Sequence, residues 1–126
     1  MPFEIFQAMD VGAVFIEFTG AMLASTGQSV AFLEIAEKAG YPSDGCGYHR
    51  AMAGATRQGL LGTPQLLIGA TVPCDGGLKT ITTLSRALGV EPFIFDIPFP
   101  PVTREKIDYL IAQYRAMEDY ITRLTG

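Results

Sequence analysis

The sequence predicts an α/β fold, a small parallel sheet flanked by helices as a three-layer sandwich, with a long connector helix at the C-terminus. Three observations predict it. Short apolar runs rich in β-branched and aromatic residues alternate with helix-compatible segments, the pattern of strands joined by helical crossovers. Residues 103–125 carry one apolar stripe, Ile107, Leu110, Ile111, Tyr114, Met117, Ile121 and Leu124, at steps of three and four. A chain of 126 residues is the size of a single domain, and it is too short for a barrel of eight strand–helix units, which takes roughly 250 residues.

Each element has a local reason. Pro2 to Met9 begins with proline at a helix-start position and places Phe3, Ile5 and Phe6 together, which predicts a short helix. Val11 to Phe18 (VGAVFIEF) reads as a buried first strand. Residues 20–39 are helix-compatible, interrupted by Ser25-Thr26-Gly27-Gln28 and closed by Gly40. Tyr41 to Gly45 is turn chemistry, with Asp44 placed to cap a helix over Cys46 to Gln58. Gln65 to Thr71 predicts the second strand, Leu78 to Leu88 a helix stopped by Gly89, and Pro92 to Ile97 the third strand. Pro98-Phe99-Pro100-Pro101 then leaves the sheet, because proline cannot donate to a ladder. The final helix is longer than this sheet needs and reads as a connector toward further protein.

Composition narrows the function classes. Hydrophobic residues make up 48% and charged residues 17%, with mean hydropathy +0.27. Average usage is about 25% charged, so disorder is excluded and a surface that packs against more protein is expected. Net charge is −4 and the pI about 4.8, with six acids against Lys38 alone in residues 1–45. Residues 46–100 reverse this weakly, with Arg50, Arg57, Lys79 and Arg86 against Asp75, Glu91 and Asp96. No basic stripe is present to neutralise a run of phosphates, so nucleic acid is not an expected partner. No apolar stretch reaches the ~20 residues of a membrane span, and the acidic start does not resemble an export signal. A cytoplasmic, reducing setting is therefore expected, with thiols or metal ligands rather than a disulfide.

The two cysteines, Cys46 and Cys74, lie 28 positions apart. In open α/β sheets, ligands bind at the edge formed by the strands' C-terminal ends. Cys74 follows the second strand, and Cys46 opens the helix before it, so both thiols are expected on that rim. Each sits at a predicted helix start among glycines (Gly45, Gly47, Gly76, Gly77), where partial positive charge and unbonded amides suit an anionic sulfur. Arg50 and Arg57, four and eleven residues on, return to the Cys46 side of the helix, where they offset thiolate charge or meet an anionic substrate.

Bland readings stand beside these: cysteine as a small buried hydrophobe, the arginines as a solvated helix face, Gly76-Gly77 as a plain turn. His49 points off the Cys46 direction and reads as a hydrogen-bonded side chain. Asp75 reads as a helix cap and Asp96 as a strand end. A nucleophilic assembly of Cys46, His49 and Asp75 is disfavoured, because near neighbours on one helix do not face each other. Two cysteines do not complete a tetrahedral metal or iron–sulfur site.

At CGYHRAMAGATRQG, TPQLLIGATVPCDGGLKT and GVEPFIFDIPFPP the sequence resembles the 2-hydroxyacyl-CoA dehydratase and benzoyl-CoA reductase family, also called the 2-hydroxyglutaryl-CoA dehydratase D-component. The shared layout is a Cys followed by an aromatic and a basic residue, a Gly-rich helix, a strand ending in Cys-Asp, and a strand ending in Asp-x-Pro. The opening PFEIFQAMDVGAVFIEF and the closing YLIAQYRAMEDYITRLTG resemble the family's first helix and strand and the long helix into its next domain, so nearly the whole chain is covered.

The resemblance implies that residues 1–126 form a single α/β domain, the N-terminal part of a dehydratase subunit of anaerobic metabolism. Cys46 and Cys74 would be the first two ligands of a 4Fe-4S cluster whose third ligand lies outside this chain. Arg50 and Arg57 would be near the cluster or face the CoA. It further implies an acyl-CoA substrate, a second dehydratase subunit, and an ATP-dependent activator protein that supplies an electron. One-electron reduction of the thioester gives a ketyl radical that can expel the 2-hydroxyl group, yielding an enoyl-CoA. The alternatives are acyl-CoA reduction of the benzoyl-CoA reductase type, a cluster-free interaction domain pairing with a catalytic subunit, and a thiol enzyme using Cys46. As an isolated chain the protein is not expected to be active.

Overall fold

The structure is a computed structural model that describes residues 3–126, so the predicted helix-starting Pro2 lies outside the described residues. Those residues form helices and strands in the order α1 (Phe3–Ala8), α2 (Ile16–Ser25), α3 (Ser29–Lys38), α4 (Gly47–Arg57), β1 (Leu67–Ala70), α5 (Asp75–Leu88), β2 (Pro92–Phe95) and α6 (Arg104–Thr125). The fold is mixed helix and strand with a parallel sheet and a long last helix, as predicted. The chain divides into two compact units, Met1–Thr63 and Pro64–Gly126.

The first unit is built around α4. Its sequence GYHRAMAGATR is dominated by small residues, and six in a row, Ala51 to Thr56, are buried. A helix buried all round over its middle must be approached closely by its neighbours. Gly54 shows how closely: a β-carbon there would overlap the Phe32 carbonyl of α3, lying 2.7 Å from its carbon. On another side Gly20 of α2 meets the first turn of α4, where a β-carbon would lie 3.0 Å from Tyr48 O and 3.2 Å from Met52 Cγ. The one buried hydroxyl of this helix, Thr56, donates to Met52 O at 2.9 Å.

The predicted first strand is not one. Residues 11–15 carry no regular structure, and Ile16 onward is helix. A short apolar run does not distinguish strand from helix by periodicity, and other signals decide this one. Glu17 falls in the first turn of α2, where the helix dipole favours an acid. Helical geometry turns Gly20 and Leu23 inward, while Val14, Phe15 and Phe18 stay 49–63% exposed. The sheet consequently has two strands rather than three.

The second unit is layered. β1 and β2 pair in parallel with Leu67 opposite Pro92 and Ala70 opposite Phe95. Parallel partners share a face and successive residues alternate, so Gly69 and Ile94 look one way, Phe93 and Phe95 the other. On the first face a β-carbon at Gly69 would sit 3.3 Å from Ile81 of α5, which fixes how near that helix packs. On the second, Phe95 stacks with Tyr114 of α6 at 4.8 Å and Phe93 with Tyr120 at 6.4 Å, over the buried Met117 and Ile121. Helix, sheet and helix make the three layers.

Helix α5 begins three residues before its predicted start, carrying Asp75, Gly76 and Gly77 into its first turn, and ends at Gly89 in the left-handed region with φ 68°. Helix α6 opens on Thr103, whose side chain accepts from Lys106 N. The Glu105 carboxyl in that turn is held below its ordinary range by a backbone hydrogen bond and then by the Thr103 hydroxyl. Its contribution is therefore present above the ordinary carboxylate range and lost as pH falls.

The contact at Gly54 has a measurable consequence. Gly54→Ala should destabilise the first unit by about 1–3 kcal/mol, the range for forcing atoms into a packed core, read as an earlier midpoint in urea unfolding. Gly12→Ala, where a β-carbon meets nothing within 4 Å, should leave that midpoint in place.

Candidate functional site

Cys46 is the N-cap of α4, with φ −54° and ψ 124°, and no side chain caps the helix. Its thiol is exposed and outside any disulfide. A β-carbon at Gly47 would meet nothing within 4 Å, so there is open space at the residue that follows Cys46. The chain reaches this position through a turn in which Gly45 N donates to Pro42 O at 3.1 Å. Arg50, one helical turn on, reaches back. Its Nε donates to Gly45 O at 3.2 Å, and Nη1 pairs with the Glu37 carboxylate at the end of α3. A shallow groove of about 220 Å³ lies alongside, lined by residues of α2, α3 and α4 that include Gly20, Leu33, Gly47 and Tyr48.

Cys74 is the N-cap of α5, in extended backbone, again with no side-chain cap, and is exposed. It stands three residues past Thr71, which continues β1 by donating its N–H to Phe95 O at 2.9 Å. Here the sheet edge is tied by side chains. Thr71 Oγ1 donates to Asp96 Oδ1 at 3.2 Å and accepts from Ile97 N at 2.9 Å. Gln113 of α6 brackets the Asp96 peptide unit, its Oε1 accepting from Asp96 N at 2.7 Å and its Nε2 donating to Asp96 O at 2.8 Å. Tyr109 OH donates to Asp96 Oδ2 at 3.0 Å. Asp96 immediately follows β2, beside the strand end where the sequence placed it, and is the hub that ties the two strand ends to α6.

The remaining candidates sit as follows. Arg57 is exposed at the far end of α4, eleven residues and therefore about 16 Å along the axis from Cys46. His49 is half-buried in the first turn of α4, and Asp75 opens α5. Cys46 belongs to the first unit, Cys74 to the second. The shared rim expected for Cys46 drew on a first strand; with residues 11–18 outside the sheet, sheet topology places Cys74 alone. Among the described residues no three His, Cys, Asp or Glu gather as a metal cage. The cysteines fit an iron–sulfur group in kind, as soft, exposed donors at uncapped helix starts, and in number they supply two ligands.

Glu37, Thr71, Gln113 and Tyr109 were invisible as site residues in the sequence, because their partners lie 13 to 26 positions away on other elements. The Tyr109 phenol is pushed above its ordinary range, first by its hydrogen bond to Asp96, then by desolvation and the carboxylate's charge. A raised pKa means this hydrogen bond contributes below the ordinary tyrosine range and is lost as pH rises through the folded value. In an ultraviolet titration, the difference between wild type and Tyr109→Phe should therefore be a phenol that ionises above the ordinary tyrosine range, and Asp96→Asn should move that step to lower pH.

The α subunit of (R)-2-hydroxyisocaproyl-CoA dehydratase from Clostridioides difficile is 29% identical over 133 residues, an overlap covering 99% of this chain and 33% of that protein. The chain thus spans about a third of the curated relative's length. The family model described as 2-hydroxyglutaryl-CoA dehydratase, D-component, matches residues 1–126. With that family model matching residues 1–126, the chain belongs to the 2-hydroxyglutaryl-CoA dehydratase D-component family.

Proposed function

We propose that this chain is the N-terminal part of a 2-hydroxyacyl-CoA dehydratase subunit, and that Cys46 and Cys74 are two of the thiolates that hold its iron–sulfur cluster. The observation that carries the reading is the placement of both cysteines, each exposed at the N-cap of a helix that no side chain caps. Amides at a helix start donate to anionic sulfur, and the dipole adds positive potential there. Buried cysteines, the bland alternative, would offer neither.

The reaction class is drawn from the family and from a relative whose name is that of a 2-hydroxyacyl-CoA dehydratase, which favours dehydration over reduction of the acyl-CoA. Loss of water from a 2-hydroxyacyl thioester needs a β-proton that no carbonyl activates. When bound, the cluster would supply Lewis acidity and a single electron to the thioester carbonyl. The residues of this chain hold the ligands and shape their approach: α4 and α5 present the sulfurs, and the Asp96 hub keeps the sheet edge before α5 in place. Arg57 is the exposed cation of α4 left to meet an anionic group of the substrate. A second subunit and an ATP-dependent activator complete the proposal as electron donors, in a cytoplasmic setting. Among the described residues no helix is long and apolar enough to cross a membrane.

Anaerobic purification of the native protein, with iron and acid-labile sulfide counted, tests the reading. Wild type should be brown. Cys46→Ser and Cys74→Ser should each lower cluster retention by more than the roughly 10–100-fold that loss of a ligand's outer hydrogen-bond partner costs, while His49→Asn retains it. A colourless protein that still supports dehydration with its partner would defeat the cluster reading and leave the chain as an interaction domain.

A further inference from the structure

We propose that Arg50 is the positioning residue for Cys46, and that Glu37 keeps it in that role. The inference rests on the reading of Cys46 as a ligand and assigns Arg50 to the ligand's backbone rather than to the substrate. Both carbonyls that flank the Cys46 α-carbon are held by this one residue. Its side-chain Nε donates to Gly45 O at 3.2 Å, and its backbone N donates to Cys46 O at 3.0 Å. The peptide planes on the two sides of Cys46 are therefore tied to one residue, the first through the guanidinium and the second through the ordinary helix bond of its backbone. The N-cap is where the chain changes from turn to helix, so a small backbone rotation there re-aims the Cys46 side chain. The turn before it is already tight, since a β-carbon at Gly45 would lie 3.2 Å from Pro42 O.

The guanidinium could not do this unaided. The Arg50 side chain is only 14% exposed, and a cation so enclosed is costly without a partner. Glu37, in the last turn of α3, supplies it from across the helix pair. Arginine serves the two acceptors from separate nitrogens of one planar group, Nε and Nη1, whereas a lysine has a single nitrogen and nothing at the Nε position to meet Gly45 O. With Glu37 and Gly45 O engaged, the charge and geometry of Arg50 are spent inside the unit. A coenzyme phosphate would find that charge already paired.

The test uses the full protein without metal, under anaerobic conditions. Iodoacetamide labelling at one pH is followed by mass spectrometry at Cys46, with Cys74 as the internal reference. Three variants are compared: Arg50→Lys, Glu37→Gln, and the exchanged pair Glu37→Arg with Arg50→Glu. Each should slow Cys46 labelling by about three- to tenfold, the worth of one hydrogen bond of ordinary net strength, and leave Cys74 unchanged. Amide hydrogen exchange over residues 43–49 should quicken in step. The exchanged pair separates positioning from plain stabilisation. It restores an ion pair between α3 and α4, and with it the melting temperature, yet glutamate has no donor for Gly45 O, so Cys46 stays slow. Recovery of Cys46 labelling along with the melting temperature would overturn the proposal. So would loss of acyl-CoA binding in Arg50→Lys with Cys46 labelling intact. Should the exchanged pair not fold, the two single variants decide. The thiol rates are read without iron, so an iron-free native protein would fail the cluster reading and leave the role of Arg50 separately decided.

Discussion

Everything at the Cys46 end of the molecule depends on α4 lying backbone to backbone against α3. Gly54 makes that possible by having no side chain where the Phe32 carbonyl passes. Ala51, Ala53 and Ala55, all at 0–1% exposure, let neighbours close in around the rest of the helix. Once the axis of α4 is fixed, the position of its N-cap Cys46 follows, and so does the reach from Arg50 to the last turn of α3. A larger residue at position 54 would push the helices apart, and the Glu37 carboxylate would be carried away from the guanidinium it neutralises. The packing of small residues and the ion pair are thus one device, with the apolar contact setting the distance that the polar contact needs.

The second unit reaches a comparable result by different means. Its sheet has two strands, and such a sheet has little stability by itself. The aromatic layer of Phe93, Phe95, Tyr114 and Tyr120 covers one face, and α5 covers the other. Neither layer fixes how the strands end. That is done by Gln113, which treats the Asp96 peptide as a strand neighbour would, giving one acceptor and one donor. The polar atoms of a strand end require partners, and here they come from a helix side chain. The edge before α5 is held without a third strand.

The elements whose pattern is local were legible in the sequence. The α6 stripe, the alanine-rich α4, the Gly89 stop and the strand centres at 67–70 and 92–95 all follow from spacing and turn chemistry. Val11 to Phe18 was not, because an apolar run with β-branched residues suits either state until something pairs with it, and nothing does. The cysteines were legible as candidates because Gly and Asp neighbours mark helix starts. The residues that orient them were not. Glu37 with Arg50, and Gln113 with Asp96, are pairings between elements, and no periodicity along one element reports them.

The same limit governs the reading of charge. Counted along the chain, residues 1–45 are acidic and the stretch around the cysteines is mildly basic, which suggests a positive surface waiting for an anion. In three dimensions the boundary dissolves, because Glu37 from the acidic stretch is the partner of Arg50 from the basic one. Other cations are committed as well: Lys106 donates to Phe99 O and Pro101 O, where it holds the proline turn before α6, and Arg104 pairs with Asp108. A segment's net charge therefore overstates what it offers a ligand. With so few charged residues, each pairing counts, and the cation nearest Cys46 in sequence serves first as part of the scaffold that aims the thiol.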